Sequence, residues 1–149
     1  MGKAYAATGQ GSAGTNKTML GVTASASVRP RVFYLAAGSG GAPADQAGIF
    51  EVKRYTAAGT ATSVTPQALD SAEVAAVAPA GENHSAEPTY TAGSELIAFG
   101  MNQRDKVQWW AYNDEAKIVL PATAASGLGF KSLSHSAPPT VDATFHWNE

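Results

Sequence analysis

Cysteine is absent from the 149 residues. That excludes a disulfide framework and thiolate chemistry, and leaves the redox compartment open. Charge is scarce as well. Asp, Glu, Lys and Arg make up 15% of the chain, where about a quarter is ordinary. The net charge is −2, and the ten Lys and Arg are spread without a run. A nucleic-acid partner, which wants a basic patch, is therefore not expected. No apolar run approaches the roughly 18 residues that a spanning helix needs. The first residues lack a basic segment followed by an apolar stretch, so no secretory signal is expected. Gly2 is present, but Ala6 stands where an N-myristoyl signal needs Ser or Thr.

What the chain has instead is Ala, Gly, Ser and Thr. Few long charged side chains are left to keep its surface wet. That suits a protein whose surface is covered by neighbours, and also a plain compact β domain. The length fits one domain with a real core.

Residues 1–16, MGKAYAATGQGSAGTN, are rich in glycine, alanine and small polar residues. They read as an extended N-terminal arm, held by a neighbouring subunit or by the chain's own surface. Residues 17–149 read as a single β domain. Strand patterns recur at 17–27, 31–38, 48–56, 61–66, 94–101, 106–112, 117–121 and 141–148. The cleanest is VDATFHWN, with Val141, Ala143, Phe145 and Trp147 on one face. The segment TPQALDSAEVAAVA is the only helix-like piece, a turn or two after Thr65 and Pro66. Residues 78–91 and 121–140 read as long connections.

Short hairpins alternating with long crossings predict an all-β, two-sheet antiparallel sandwich of jelly-roll type. An immunoglobulin-like sandwich or an up-and-down barrel is the alternative. The expected core is Phe33, Leu35, Phe50, Val52, Leu96, Trp109, Val119, Phe145 and Trp147.

Motifs for chemistry are thin. The histidines His84, His135 and His146 have no partner at metal-ligand spacing. A cupin site would need a His-x-His pair, which is absent. GENHSAEP gathers Glu82, His84 and Glu87, which in principle could ligate an ion. A polar loop that contacts a partner is the plainer reading. Ser134, His135 and Ser136 are sequence neighbours, a poor arrangement for a triad, and no G-x-S-x-G elbow exists. The glycines of GSGG and GQGSAG lack the context of a phosphate loop. Asp114 and Glu115 fall in an expected hairpin turn. No catalytic residue, metal or cofactor is assigned.

The aromatics say more. In KVQWWAY, neighbouring side chains alternate between faces. Val107, Trp109 and Ala111 share one face, and Gln108, Trp110 and Tyr112 the other. Trp109 is assigned inward. Trp110 and Tyr112 are expected to form an outward pair. Such a patch marks a binding surface. It could stack on sugar rings, bury in a subunit interface, or lie under the chain's own arm and loops.

Three stretches carry a family resemblance: PADQAGIFEVKRYTAAGTATSVTPQALD, NHSAEPTYTA and LPATAASGLGF. With them, residues 17–149 resemble the capsid decoration, or cement, proteins of tailed bacteriophages. The resemblance implies a virion structural protein without enzymatic activity. Made in the host cytoplasm, it would bind the major capsid protein on the capsid exterior. It would staple neighbouring capsomers as a homotrimer, gaining avidity from linked contacts. On this reading Trp110 and Tyr112 face sister subunits. The arm and the loop with Glu82, His84 and Glu87 touch the shell or a neighbouring subunit. The alternatives are a carbohydrate-binding β-sandwich module or another minor head or tail component.

Overall fold

The computed structural model describes residues 2–135 and 137–149. In chain order its strands are β1 (Ala4–Ser12), β2 (Lys17–Thr23), β3 (Arg31–Gly40), β4 (Ala47–Ala57), β5 (Thr60–Val64) and β6 (Gln67–Ala68). They continue as β7 (Ala80–Ala86), β8 (Thr89–Asn102), β9 (Lys106–Trp110), β10 (Ile118–Val119), β11 (Gly127–Ser134) and β12 (Thr140–Asn148). The described residues contain no helix, and the segment expected to hold a helical turn carries β6 and turns.

Two antiparallel sheets result. One runs β10-β3-β12-β1-β6, with β9 also paired to β3; the other runs β5-β7-β2-β11-β4-β8. Leaving out the short β5–β7 insertion and β10, eight strands remain in two sheets, β1-β12-β3-β9 and β2-β11-β4-β8. Consecutive strands β1/β2, β3/β4, β8/β9 and β11/β12 thus pass from one sheet to the other. That is jelly-roll connectivity, as expected.

The core lies between the sheets. The strand period supplies Val141, Ala143, Phe145 and Trp147 from β12, all buried, opposite Leu20, Val22, Leu128 and Phe130. Phe50, Phe99 and Phe130 form a stacked trio, with Phe50 and Phe130 centroids 5.4 Å apart.

Four expectations need correction. Residues 1–16 are not an arm: β1 sits between β12 and β6, paired to β12 from Ala4↔Asn148 to Ser12↔Thr140. Gly9 and Gly11 face the other sheet. A Cβ at Gly9 would come within 2.9 Å of Leu20, and one at Gly11 within 3.0 Å of the Met19 backbone. Glycine here permits close sheet packing, not flexibility. The long connections also contain strands. β7 lies within 78–91, and β11, at the centre of the second sheet, lies within 121–140. The first expected strand ends at Thr23 rather than Ser27.

The core list changes at bulges. Val52 pairs with Ile97 and Lys53 with Glu95, so Leu96 is the extra residue and turns out to solvent. Phe33 is likewise extra, between the pairs Tyr34↔His146 and Val32↔Trp147. It and Val119 are only half-buried.

Candidate functional site: an aromatic sheet face

The bulge at Phe33 puts two adjacent aromatics on the outer face of the β3 sheet. The Phe33 ring meets the outward-facing His146 edge-on at 5.9 Å, and Tyr34 lies 4.7 Å from the same imidazole. Tyr34 pairs in register with Trp110 of β9, and their ring centroids are 4.1 Å apart. Gln108, next on the same face, donates from its amide nitrogen to the Tyr34 hydroxyl at 3.3 Å. Burial pushes the His146 imidazole below its ordinary pKa, which favours the neutral ring at neutral pH. The outcome is a supported platform: Trp110 remains 58% exposed, with Tyr34 and His146 fixing its inner edge.

The face continues across β12 and β1 with polar side chains. Thr144 and Thr8 share a hydrogen bond at 2.9 Å, and Gln10 donates to Asp142 at 2.7 Å. A shallow hollow lined by Ala36, Gln108, Asp142 and Thr144 lies beside the platform.

Trp109 turns inward and packs on the core, as its strand parity requires. Tyr112 does not pair with Trp110. β9 ends at Trp110, and the chain then turns, so the strand period no longer governs position 112. Tyr112 stands 88% exposed at the flank of the sandwich. There it lines a cleft with Arg54, Leu96, Ile97, Trp109 and Ile118. Trp110's partner Tyr34 was missed by the sequence reading because the bulge at Phe33 leaves no mark in the alternation.

Glu82, His84 and Glu87 are engaged by the chain itself. Glu82 accepts from the Gln10 amide of β1. Glu87 accepts from both the amide and the hydroxyl of Thr18, and pairs with Lys17 at 3.3 Å. His84 is buried, with its ring over Gly21. Desolvation lowers its pKa, opposed by the Glu87 charge. The three lie on different partners, and no metal-holding group of His, Asp and Glu occurs among the described residues. His84 therefore offers no surface for a partner, while Glu82 and Glu87 stay half-buried and Asn83, Ser85 and Ala86 between them are exposed.

The physical cause is a strap. From β7 the chain crosses the outer face of the second sheet into β8, over glycines 127 and 129. The Tyr90 hydroxyl hydrogen-bonds Thr18, and a Cβ at Gly129 would collide with it at 2.1 Å. Tyr55 fills the space over Gly127 and bonds Thr23. Burial raises both phenols, Tyr55 to about 12, so they stay protonated.

Among the described residues, the remaining polar pairs assemble no reactive site. The His135 ring stacks edge-on against Phe50 at 4.8 Å, and Ser134 beside it is exposed. Ser136 lies outside the described residues. Asp114 is held by Lys117 at 2.7 Å in a solvated turn.

No family model, no curated protein and no solved structure matches the chain.

Proposed function

We propose that the protein is a virion structural component that binds the outside of a phage capsid and staples neighbouring capsomers, acting as a trimer. The observation that carries this is the Tyr34–Trp110 platform: a large aromatic, 58% exposed, on a rigid sheet face. Such exposure on a monomer marks a contact surface. Leu96 and Tyr112 expose further apolar surface at the flank. Charge is scarce and small side chains are many, which suits a protein packed against a lattice. The sequence resemblance supplies the choice of lattice; the jelly roll alone hosts many functions. In this account the capsid shell covers the platform, and each subunit's modest contact is multiplied by three.

The test is sedimentation with purified particles of the encoding phage, stripped of the chain and re-exposed to it. Wild type should pellet with the particles, and Trp110→Ala should lose at least about tenfold in affinity, the weight of one interface hot spot. Equal binding of both proteins would remove the platform from the account. Failure of wild type to bind would remove the capsid.

One observation favours a second reading. Gln108, Thr144, Asp142 and Gln10 extend from one side of the platform as hydrogen-bonding groups on the same sheet face. An aromatic ring with such groups beside it is what a carbohydrate-binding module needs. Glycan-array binding that disappears in Trp110→Ala would select that reading.

A further inference from the structure

The cleft at the sandwich flank has an unusual composition. Its walls include Leu96, Ile97, Trp109, Tyr112 and Ile118, with Lys117, which is paired to Asp114, at its side, and its volume is about 360 Å³. β8 and β9 on either side are the outer strands of their sheets, so both expose an unpaired edge. Arg54 reaches into this apolar setting. One guanidinium nitrogen donates to the Val119 carbonyl at 2.8 Å. No carboxylate pairs with Arg54 among the described residues. A half-buried cation without an anion is an incomplete arrangement.

The opposite flank carries the complement. After β6 the loop 69–77 exposes Leu69, Val74 and Val77, each at least half exposed, around Asp70. Asp70 forms no ion pair among the described residues; one carboxylate oxygen accepts from the Ala72 amide. The loop backbone is tied down at several points. Leu69 donates to the Ala4 carbonyl, the Tyr5 hydroxyl donates to the Val74 carbonyl, and the Val77 and Ala78 amides donate to Glu149. Three apolar side chains and a carboxylate are thus held out on a fixed backbone. Docking them costs little ordering entropy.

Position along the sheet completes the argument. One register row crosses the sheet as Ile118–Val32–Trp147–Tyr5–Ala68. The cleft borders one end of this row and the loop begins at the other. The two features therefore sit at the same height on opposite edges. A head-to-tail contact between features at one height adds little rise per copy, and the rotation between copies then decides whether the row closes.

We infer that loop 69–77 of one copy seats in the β8/β9 cleft of the next, with Asp70 meeting Arg54, and that this contact joins the copies. The inference rests on the reading of the chain as a self-assembling trimer and names its interface. It also divides the surfaces: Tyr112 belongs to the contact between copies, while Trp110 stays free for the larger partner.

Light scattering on the full chain tests it. Wild type should show the mass of three 15.3 kDa chains. Asp70→Lys and Arg54→Asp should each drop to the mass of one chain. Asp70→Asn keeps the turn acceptor but not the charge, and should raise the dissociation constant at least tenfold. The double charge swap Arg54→Asp with Asp70→Arg should restore the trimer, which a merely structural role for either residue would not allow. Thermal melts confirm that each variant is folded. A wild-type monomer overturns the inference, as does a folded Asp70→Lys trimer or a swap that fails to restore. A trimer indifferent to these changes would leave the self-assembly reading standing and sink only this interface, and capsid binding is read separately on particles.

Discussion

The two adjacent tryptophans have opposite tasks, and Trp147 shows what a third costs to lose. Trp110 projects from a sheet face, so Trp110→Ala should change folding stability by no more than about 0.5 kcal/mol, as exposed sites do. Trp147 is fully buried against Tyr5. Its truncation should cost about 3–5 kcal/mol, read from urea unfolding. Equal costs at the two sites would refute the assignment of faces. Histidine titration gives a second check. Burial lowers the pKa of His84, His135 and His146 below 6.5. The unfolded chain then binds more protons than the folded one, so stability is fully present above about pH 6.5 and drains away as pH falls below it. Unfolding midpoints at pH 7.5 and pH 5.5 should show the loss, and His84→Gln should reduce it. A midpoint that rises on acidification in that window would contradict the burial of these rings. Parity alone places Trp109 inward and Trp110 outward. It fails at Phe33 and Leu96, because a bulge inserts a residue without altering composition, and at Tyr112, which lies beyond the strand.

The elements differ in how plainly the sequence writes them. Strands rich in Val, Phe and Ile, such as β3, β4 and β12, are legible from alternation. β1 and β11 are not, although both sit inside their sheets. In β1 the inward series is Tyr5, Ala7, Gly9 and Gly11, and the outward series includes Thr8, Gln10 and Ser12. The period is present, but glycine and alanine hide it, because close packing against β2 and β7 leaves no room for larger side chains. In β11 the glycines serve the other face, where Tyr55 and Tyr90 cover positions 127 and 129. Two opposite meanings attach to one residue type, flexibility in a tail and close approach in a sheet, and only the packing tells them apart. A truncation separates them. Removing residues 2–13 from a true arm would leave the melting transition intact. Here it deletes the strand between β12 and β6, and the loss of a cooperative thermal transition is expected. An unchanged melt of the truncated chain would return β1 to the status of an arm.

At the scale of the whole molecule the jelly-roll expectation holds, although the long crossings it was read from contain strands β7 and β11. The strand order β1-β12-β3-β9 over β2-β11-β4-β8 has jelly-roll connectivity. Function was less legible. Glu82, His84 and Glu87 read as a polar contact loop, and they also fasten a strap, since sequence proximity does not reveal that Thr18 and Gln10 lie beside them. What remains exposed is one aromatic face, one apolar cleft with an unpaired cation, and one apolar loop with an unpaired acid. Under the proposed function these surfaces divide between the protein's own copies and a larger partner. Cryo-electron microscopy of intact particles of the phage proposed to encode it tests this most directly. The account predicts stoichiometric jelly-roll density in threes on the capsid exterior, with the Tyr34–Trp110 face against the shell. Particles whose exterior lacks this chain would contradict it.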